Sequence, residues 1–252
     1  MLVENELLGY PRLKIMQDSE MFSFSIDSVL LANFVRTTKK TKKIIDLGTG
    51  NAAIPLYLSL KTKAHMYGIE IQEKAFELAK MSVSINHLDD QIQILHDDLK
   101  GISQKLGRYC FDVVTSNPPF FKLIDSSRVN KNDFLTIARH EVKMTLEDLI
   151  KEASYLLNNG GQFYLVHRPD RLTDIFALLR QYKLEPKRMQ LVHPRNSQQP
   201  NHVLIEAVKG RLEGGLVVLK PLIVYTKDKW TKTILDIYNF GRDSYVTESI
   251  KP

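Results

Sequence analysis

Two consecutive prolines, Pro118 and Pro119, constrain this chain more tightly than any other feature of its sequence. They follow Phe111 to Thr115, a short apolar, β-branched run that reads as a buried strand. Neither proline can donate to a ladder, so the strand must stop there. The tetrapeptide Asn117-Pro118-Pro119-Phe120 is therefore placed at a strand's carboxyl end, the edge of an open α/β sheet at which ligands bind. The prolines fix the backbone and leave their carbonyls as acceptors, beside an Asn side-chain carbonyl and an aromatic face. Such a cluster can grip a planar group that carries an NH2. Taken alone, the tetrapeptide reads equally as a rigid Asn-Pro turn with a core Phe.

What lies upstream separates the two readings. Residues 44 to 59, IIDLGTGNAAIPLYLS, hold a buried strand ending at Leu47 and a tight Gly48-Thr49-Gly50 turn, over which a backbone can approach a ligand closely. Ala53 stands where a dinucleotide fingerprint places its third glycine, and Pro55 fits only the first turn of the helix that follows. His65 to Ile69 reads as a second strand. Glu70, followed by Ile71, ends it 20 residues beyond Gly50, a spacing that brings a carboxylate beside the ribose of a bound nucleoside. After a helix over EKAFELAKMSVSINH, a third strand, QIQILH, ends in Asp97-Asp98-Leu99, whose acids can accept from an adenine amine. One of the two equally reads as a loop residue.

Ahead of the glycines, residues 1 to 24 read as an extended or hairpin lead-in with a Gly9-Tyr10-Pro11 turn, and SIDSVLLANFVRT as a helix capped by Ser25. Asp27 falls in its first turn, where an acid complements the helix dipole and can also reach a ligand's ammonium group. The run Lys39, Lys40, Lys42, Lys43 reads as a solvated loop or as phosphate contacts.

Beyond Phe120, the polar, basic stretch KLIDSSRVNKNDFLTIARHEVKMT leaves the candidate site directly. A loop of that length is uncommon in a compact domain unless it is functional or disordered. Arg128, Lys131, Arg139, His140 and Lys143 are its candidate phosphate contacts. No metal-ligand spacing surrounds His140-Glu141, so no metal is expected. LEDLIKEASYLL then reads as a helix, Asn158-Asn159-Gly160-Gly161 as a turn, QFYLVH as a strand, and Arg168-Pro169-Asp170 as the start of a helix reaching Tyr182. Strands around Arg188 to His193 and His202 to Val208 read as a closing hairpin, and the chain beyond Gly210 as an appended strand and a terminal helix.

The formal charge of +6 and pI near 9.2 point to an anionic partner, nucleic acid foremost. The single cysteine, Cys110, excludes a disulfide framework and a cysteine-rich zinc site. The amino terminus lacks the basic start and apolar core of a signal peptide, and no apolar run is long enough to span a bilayer, so a cytoplasmic location is expected.

The order of these features carries more than any one of them. Asp46 precedes the glycines, acids end the second and third strands, and NPPF ends the fourth. This order resembles the class I S-adenosylmethionine-dependent methyltransferases, in their amino-methylating branch, over roughly Phe24 to Val208. FSFSIDSVLLANF, DLGTGNAAIPL and SNPPFF carry the branch. IARHE, HRPDRL and KPLIVYT narrow the resemblance to transfer-RNA adenine-N6 methyltransferases acting beside the anticodon, at adenosine 37.

The resemblance implies a Rossmann-like α/β fold. Its sheet is mostly parallel and seven-stranded, with an antiparallel closing hairpin and helices on both faces. It forms a single domain, with a lead-in over 1–24, a core over 25–208 and an extension over 209–252. It implies S-adenosylmethionine as cofactor, with Asp27, Asp46, Gly48, Gly50 and Asn51 toward the methionine part, Glu70 and Ile71 at the ribose, and Asp97 or Asp98 with Leu99 at the adenine. Asn117, Pro118, Pro119 and Phe120 are then the catalytic group and RNA the partner, bound by the core's own basic face. The same residues also fit a protein glutamine methyltransferase, amino methylation of ribosomal RNA or DNA, a nicotinamide enzyme, or an RNA-binding module without turnover.

Overall fold

The computed structural model describes residues 2–7, 13–18, 26–119 and 145–239. The Gly9-Tyr10-Pro11 turn, the Ser25 cap, Phe120 and the five candidate phosphate contacts from Arg128 to Lys143 lie outside those residues.

The lead-in is a hairpin. β1 (Leu2–Glu6) pairs antiparallel with β2 (Lys14–Asp18), Leu2 opposite Asp18. Ser82 and Asn86 dock the outer edge of β2, accepting the N–H groups of Met16 and Lys14 at 2.9 Å each, so this edge of the two-stranded ribbon is covered. Then follow α1 (Ile26–Phe34), β3 (Lys43–Leu47), α2 (Ala53–Ser59), β4 (His65–Glu70), α3 (Glu73–Ile85), β5 (Ile92–His96), the short α4 (Ile102–Leu106) and β6 (Phe111–Ser116). The second half comprises α5 (Leu146–Leu156), β7 (Leu157–His167), a 3-10 turn (Pro169–Arg171), α6 (Leu172–Gln181), β8 (Leu184–Arg195) and β9 (His202–Lys209). β10 (Val217–Val218), β11 (Leu222–Thr226), β12 (Lys229–Trp230) and α7 (Lys232–Tyr238) complete it.

The main sheet runs β12-β11-β8-β9-β7-β6-β3-β4-β5, with β10 pairing β8. Strands β5, β4, β3, β6 and β7 are parallel, and β9 is antiparallel to both β7 and β8, which gives the seven-stranded core and closing hairpin expected. Both faces are covered, so the central strands are mostly apolar and alternate residues enter opposite cores. Ile44, Tyr164, Val166 and Leu204 face the layer of α1, α2, α3 and α7, while Ile45, Phe163, Leu165 and Ile205 face α4, α5 and α6.

The structure corrects four local expectations. The Asn158 to Gly161 turn lies inside β7, where Gly160 at φ +81° takes up a register shift against β6 between Phe111 and Val113. Arg168-Pro169-Asp170 leads into a 3-10 turn, and α6 begins only at Leu172. β8 starts at Leu184, because a shift between Pro186 and Arg188 lets the ladder pass a residue without an N–H. The extension adds three strands to the sheet rather than one.

Gly68 fixes the glycine turn from below. A Cβ there would lie 2.8 Å from Thr49 Cγ2 and 2.9 Å from Ile94 Cδ1, so β4 can lie under the turn only without a side chain. Gly68→Ala is expected to lower stability by about 1–3 kcal/mol, the usual cost of forcing a methyl into a packed site, readable as a lower denaturation midpoint at unchanged m-value.

Candidate functional site

The carboxyl ends of β3, β4, β5 and β6 lie side by side in the sheet and carry the sequence candidates together. Gly48 and Gly50 adopt φ of +74° and +57°, the left-handed region that favours glycine, and Ala52 follows at +69° to open α2. A Cβ at Gly48 or Gly50 would meet nothing within 4 Å. The space above the turn is open, as a bound molecule crossing it requires.

Glu70 is buried beneath this turn. Its Oε2 accepts from Gly50 N at 2.9 Å and its Oε1 from Gln72 N at 2.8 Å, while Gly48 N and Thr49 N both donate to Ile69 O. The carboxylate thus holds the turn and, having about four lone-pair sites, keeps acceptor capacity for two vicinal hydroxyls. Ile71 is half-buried, with His96 Nε2 3.1 Å from its carbonyl oxygen.

At the end of β5 the two acids have different surroundings. Asp97 takes the Lys105 ammonium on both oxygens, at 2.6 and 2.7 Å, and the Asp98 N–H. The hydrogen bond from Lys105 holds its carboxyl below the usual carboxylate range. Asp98 uses Oδ1 for Lys100 N at 2.9 Å, and no hydrogen bond to its Oδ2 is made among the described residues. Of the pair, Asp98 retains the free acceptor, with the buried Leu99 beside it.

Asp46 is 1% exposed and does not open onto the cleft. Its Oδ1 accepts from Thr115 Oγ1 at 2.6 Å, tying β3 to β6, and Ser116 Oγ donates to Leu47 O at 2.7 Å one residue on. These cross-strand bonds fix the end of β6, which leads into Asn117, beside the end of β3, which leads into the glycine turn. Burial pushes the Asp46 carboxyl up to about 6; the hydroxyls of Thr115 and of Thr49, the latter short of a hydrogen bond, oppose the shift, and Glu70 adds to it. The ordinary value is 3.8, so the stability Asp46 lends is complete below about pH 4 and is lost as pH rises through 6. The Asp46 contribution, about 3 kcal/mol, opposes that of His167, whose pKa burial pushes down to about 4, so it is read as the difference between wild type and Asp46→Asn over that window. In Asp46→Asn this part of the pH dependence should be absent from denaturant titrations run at pH 4, 5.5 and 7.

Asn117 is half-buried at the end of β6, Pro118 is buried and Pro119 exposed. Asn117 Nδ2 donates to Ser28 Oγ at 2.9 Å, and no hydrogen bond to Asn117 Oδ1 is made among the described residues. The oxygen is thereby the part of the carboxamide turned to accept. Sequence reasoning did not identify Ser28, since 89 positions separate it from its partner and only the docking of α1 on the sheet brings them together.

Asp27, beside Ser28, is buried, and its Oδ1 accepts no hydrogen bond among the described residues. His202 Nδ1, from the start of β9, lies 3.4 Å away; burial lowers the His202 pKa, against the pull of Asp27. A buried carboxylate oxygen with spare capacity suits an ammonium ligand. Asn51 Nδ2 instead reaches back to Met16 O at 3.2 Å, fastening the lead-in hairpin to the turn.

Other features lie apart from this site. Lys39, Lys40, Lys42 and Lys43 stand where β3 begins, at the opposite edge of the sheet, and Asp112 holds the N–H groups of Lys42 and Lys43. A groove of about 690 Å³ opens between α3 and β4–β5, lined by Tyr67, Phe76, Lys80 and Ile94, away from the glycine turn. Among the described residues no cluster of His, Cys, Asp and Glu is arranged to hold a metal, and no helix is long and apolar enough to cross a membrane.

A family model described as the methyltransferase small domain matches residues 12–182. The tRNA1(Val) (adenine(37)-N6)-methyltransferase of Porphyromonas gingivalis is 31% identical over 207 residues, 80% of each chain. The protein of the same name from Bacteroides fragilis is 26% identical over 200 residues, 78% of this chain and 81% of that one. Among solved structures, a predicted O-methyltransferase from Agrobacterium tumefaciens superposes with a TM-score of 0.67 at 24% identity, covering 85% of this chain and 96% of its own.

Proposed function

Because the chain belongs to the methyltransferase small domain family, we infer that it transfers a methyl group from S-adenosylmethionine to the N6 amine of an adenosine in tRNA. The observation that carries the reading is the pairing of Asn117 Nδ2 with Ser28 Oγ at the carboxyl end of β6, which leaves the carboxamide oxygen free to accept among the described residues. The seven-stranded core is the class I methyltransferase fold. The relatives are named for adenine 37 of tRNA, and the same position, beside the anticodon, is the target assigned here.

The residues fit the cofactor. The open space over Gly48 and Gly50 admits its backbone-hugging methionine part, Asp27 offers a buried acceptor to its ammonium, Glu70 has lone pairs for its ribose hydroxyls, and Asp98 with Leu99 faces its adenine. When bound, the sulfonium supplies an electrophilic methyl group. Asp46 and Asn51 act one step back: the first locks β3 to β6, the second ties the lead-in to the turn.

Adenine's exocyclic nitrogen is a poor nucleophile because its lone pair is delocalised into the ring. Asn117 Oδ1 and the Pro118 carbonyl, each accepting one N–H, favour a pyramidal nitrogen and spread the positive charge that grows during attack. No strong base is required, since the amine proton becomes acidic once the methyl group is attached. Phe120, directly after Pro119 in the sequence, is assigned to stack on the adenine turned out of the RNA, and Arg128, Lys131, Arg139, His140 and Lys143 to phosphates beyond it.

Labelled methyl transfer to separated tRNA, ribosomal RNA and protein fractions, followed by nucleoside analysis, tests the reading. N6-methyladenosine in tRNA is expected, and incorporation into protein alone would replace it with glutamine methylation.

A further inference from the structure

We propose that the RNA strand reaches the site along the carboxyl edge of the closing half of the sheet, over the ends of β7, β9, β8 and β11, gripped by Arg168, Arg171, Arg195, Lys227 and Lys229. The proposal rests on the reading of this protein as an RNA methyltransferase and adds the surface that binds the substrate.

Topology places these cations in one row. β7, β8 and β11 run parallel to β6, so Arg168 after β7, Arg195 ending β8 and Lys227 after β11 emerge at the same edge as Asn117. Because β12 is antiparallel to β11, Lys229 returns to that edge. Four strand spacings separate β6 from β11, roughly 19 Å at the usual interstrand distance. That is a path for several phosphates of one strand.

The row is set up to exchange its partners. Arg168 pairs with Asp170 at 3.4 Å, Arg171 with Asp174 at 2.8 Å and Arg195 with Asp228 at 3.1 Å. All three acids are exposed, Asp228 at 95%, and such surface pairs contribute only about 0–1 kcal/mol each. A phosphate can replace the carboxylate and keep the fork geometry of the guanidinium. Arg195 is further steadied by its Nε bond to Lys227 O at 3.1 Å, and its guanidinium lies 5.8 Å from the Tyr225 ring. In the other direction from Asn117 the same edge presents Asp98 after β5 and Glu73 opening α3, acids that repel a polyanion. The lysines from Lys39 to Lys43 are at the far edge and cannot share this path.

Filter binding of purified bulk tRNA across a salt series tests this on the full chain. The variant Arg195→Gln/Lys227→Glu/Lys229→Glu should bind at least tenfold more weakly near 0.1 M salt, with the log–log salt slope reduced by about 2 to 3, one unit for each lost phosphate contact. S-adenosylmethionine affinity should match wild type, and the loss in methyl transfer should fall on KM. The single Lys227→Glu, in an exposed turn, should show the same effect in part and covers the case in which the triple variant misfolds. Lys39→Glu/Lys40→Glu is the control and should leave tRNA binding unchanged. Wild-type affinity and slope in the triple and single variants, an equal loss in the control, or a wild-type protein that binds no tRNA would each overturn the proposal. A wild type that binds tRNA and methylates none of it refutes the assigned activity instead, and the row is then judged on binding alone.

Discussion

Asn117→Ala should lower methyl transfer about a hundred- to a thousandfold while leaving S-adenosylmethionine affinity within about threefold, the signature of a group that acts on developing charge in the transition state. The side chain sits at the end of β6, past two cross-strand bonds between β3 and β6, so truncation removes the acceptor without loosening the turn assigned to the cofactor. Ser28→Ala leaves the carboxamide in place but unanchored, and about a tenfold fall in kcat is expected from the poorer alignment. Once Asn117 is gone, Ser28 has nothing left to orient. The double variant should therefore be no slower than Asn117→Ala, and additive losses would show that Ser28 acts through something else.

Glu70→Ala should produce the largest loss on the binding side. Two part-buried backbone N–H groups, of Gly50 and Gln72, would lose their acceptor, and because water reaches the exposed Gln72 the cost is toward the lower end, about 1 kcal/mol each. The same change removes the acceptors proposed for the ribose, and two hydrogen bonds to a charged group correspond to about a hundredfold in Kd. Calorimetry should therefore find cofactor binding weakened about a hundredfold and the unfolding transition lowered. Glu70→Gln, with one oxygen kept, should fall between. A Kd for Glu70→Ala equal to wild type would remove Glu70 from the cofactor site and leave it a purely structural clamp.

The parts of the site that local chemistry dictates were legible in the sequence. Gly48, Gly50 and the two prolines act through backbone conformation, and Glu70 through its place at a strand end, so each can be read from a short window. Contacts between distant windows could not be read. Thr115 with Asp46, Ser28 with Asn117 and His202 with Asp27 depend on which strands and helices become neighbours. The different surroundings of Asp97 and Asp98 come from Lys105, which a five-residue helix folds back onto the first of them. The lysines around Lys40 read as a solvated loop or as phosphate contacts, and only the parallel order of the sheet puts them at the edge opposite Asn117. β10 and β12 carry no sequence signal of their own, because each is only two residues long, too short for any periodicity.

The central claim is that the donor and the adenine amine meet between the glycine turn of β3 and the end of β6. Crystals grown with S-adenosylhomocysteine test it most directly. The account predicts density across Gly48 and Gly50, ribose hydroxyls within hydrogen-bond distance of Glu70, adenine beside Asp98, and sulfur facing Asn117 and Pro118. Density lodged elsewhere, with that cleft empty at saturating ligand, would contradict it.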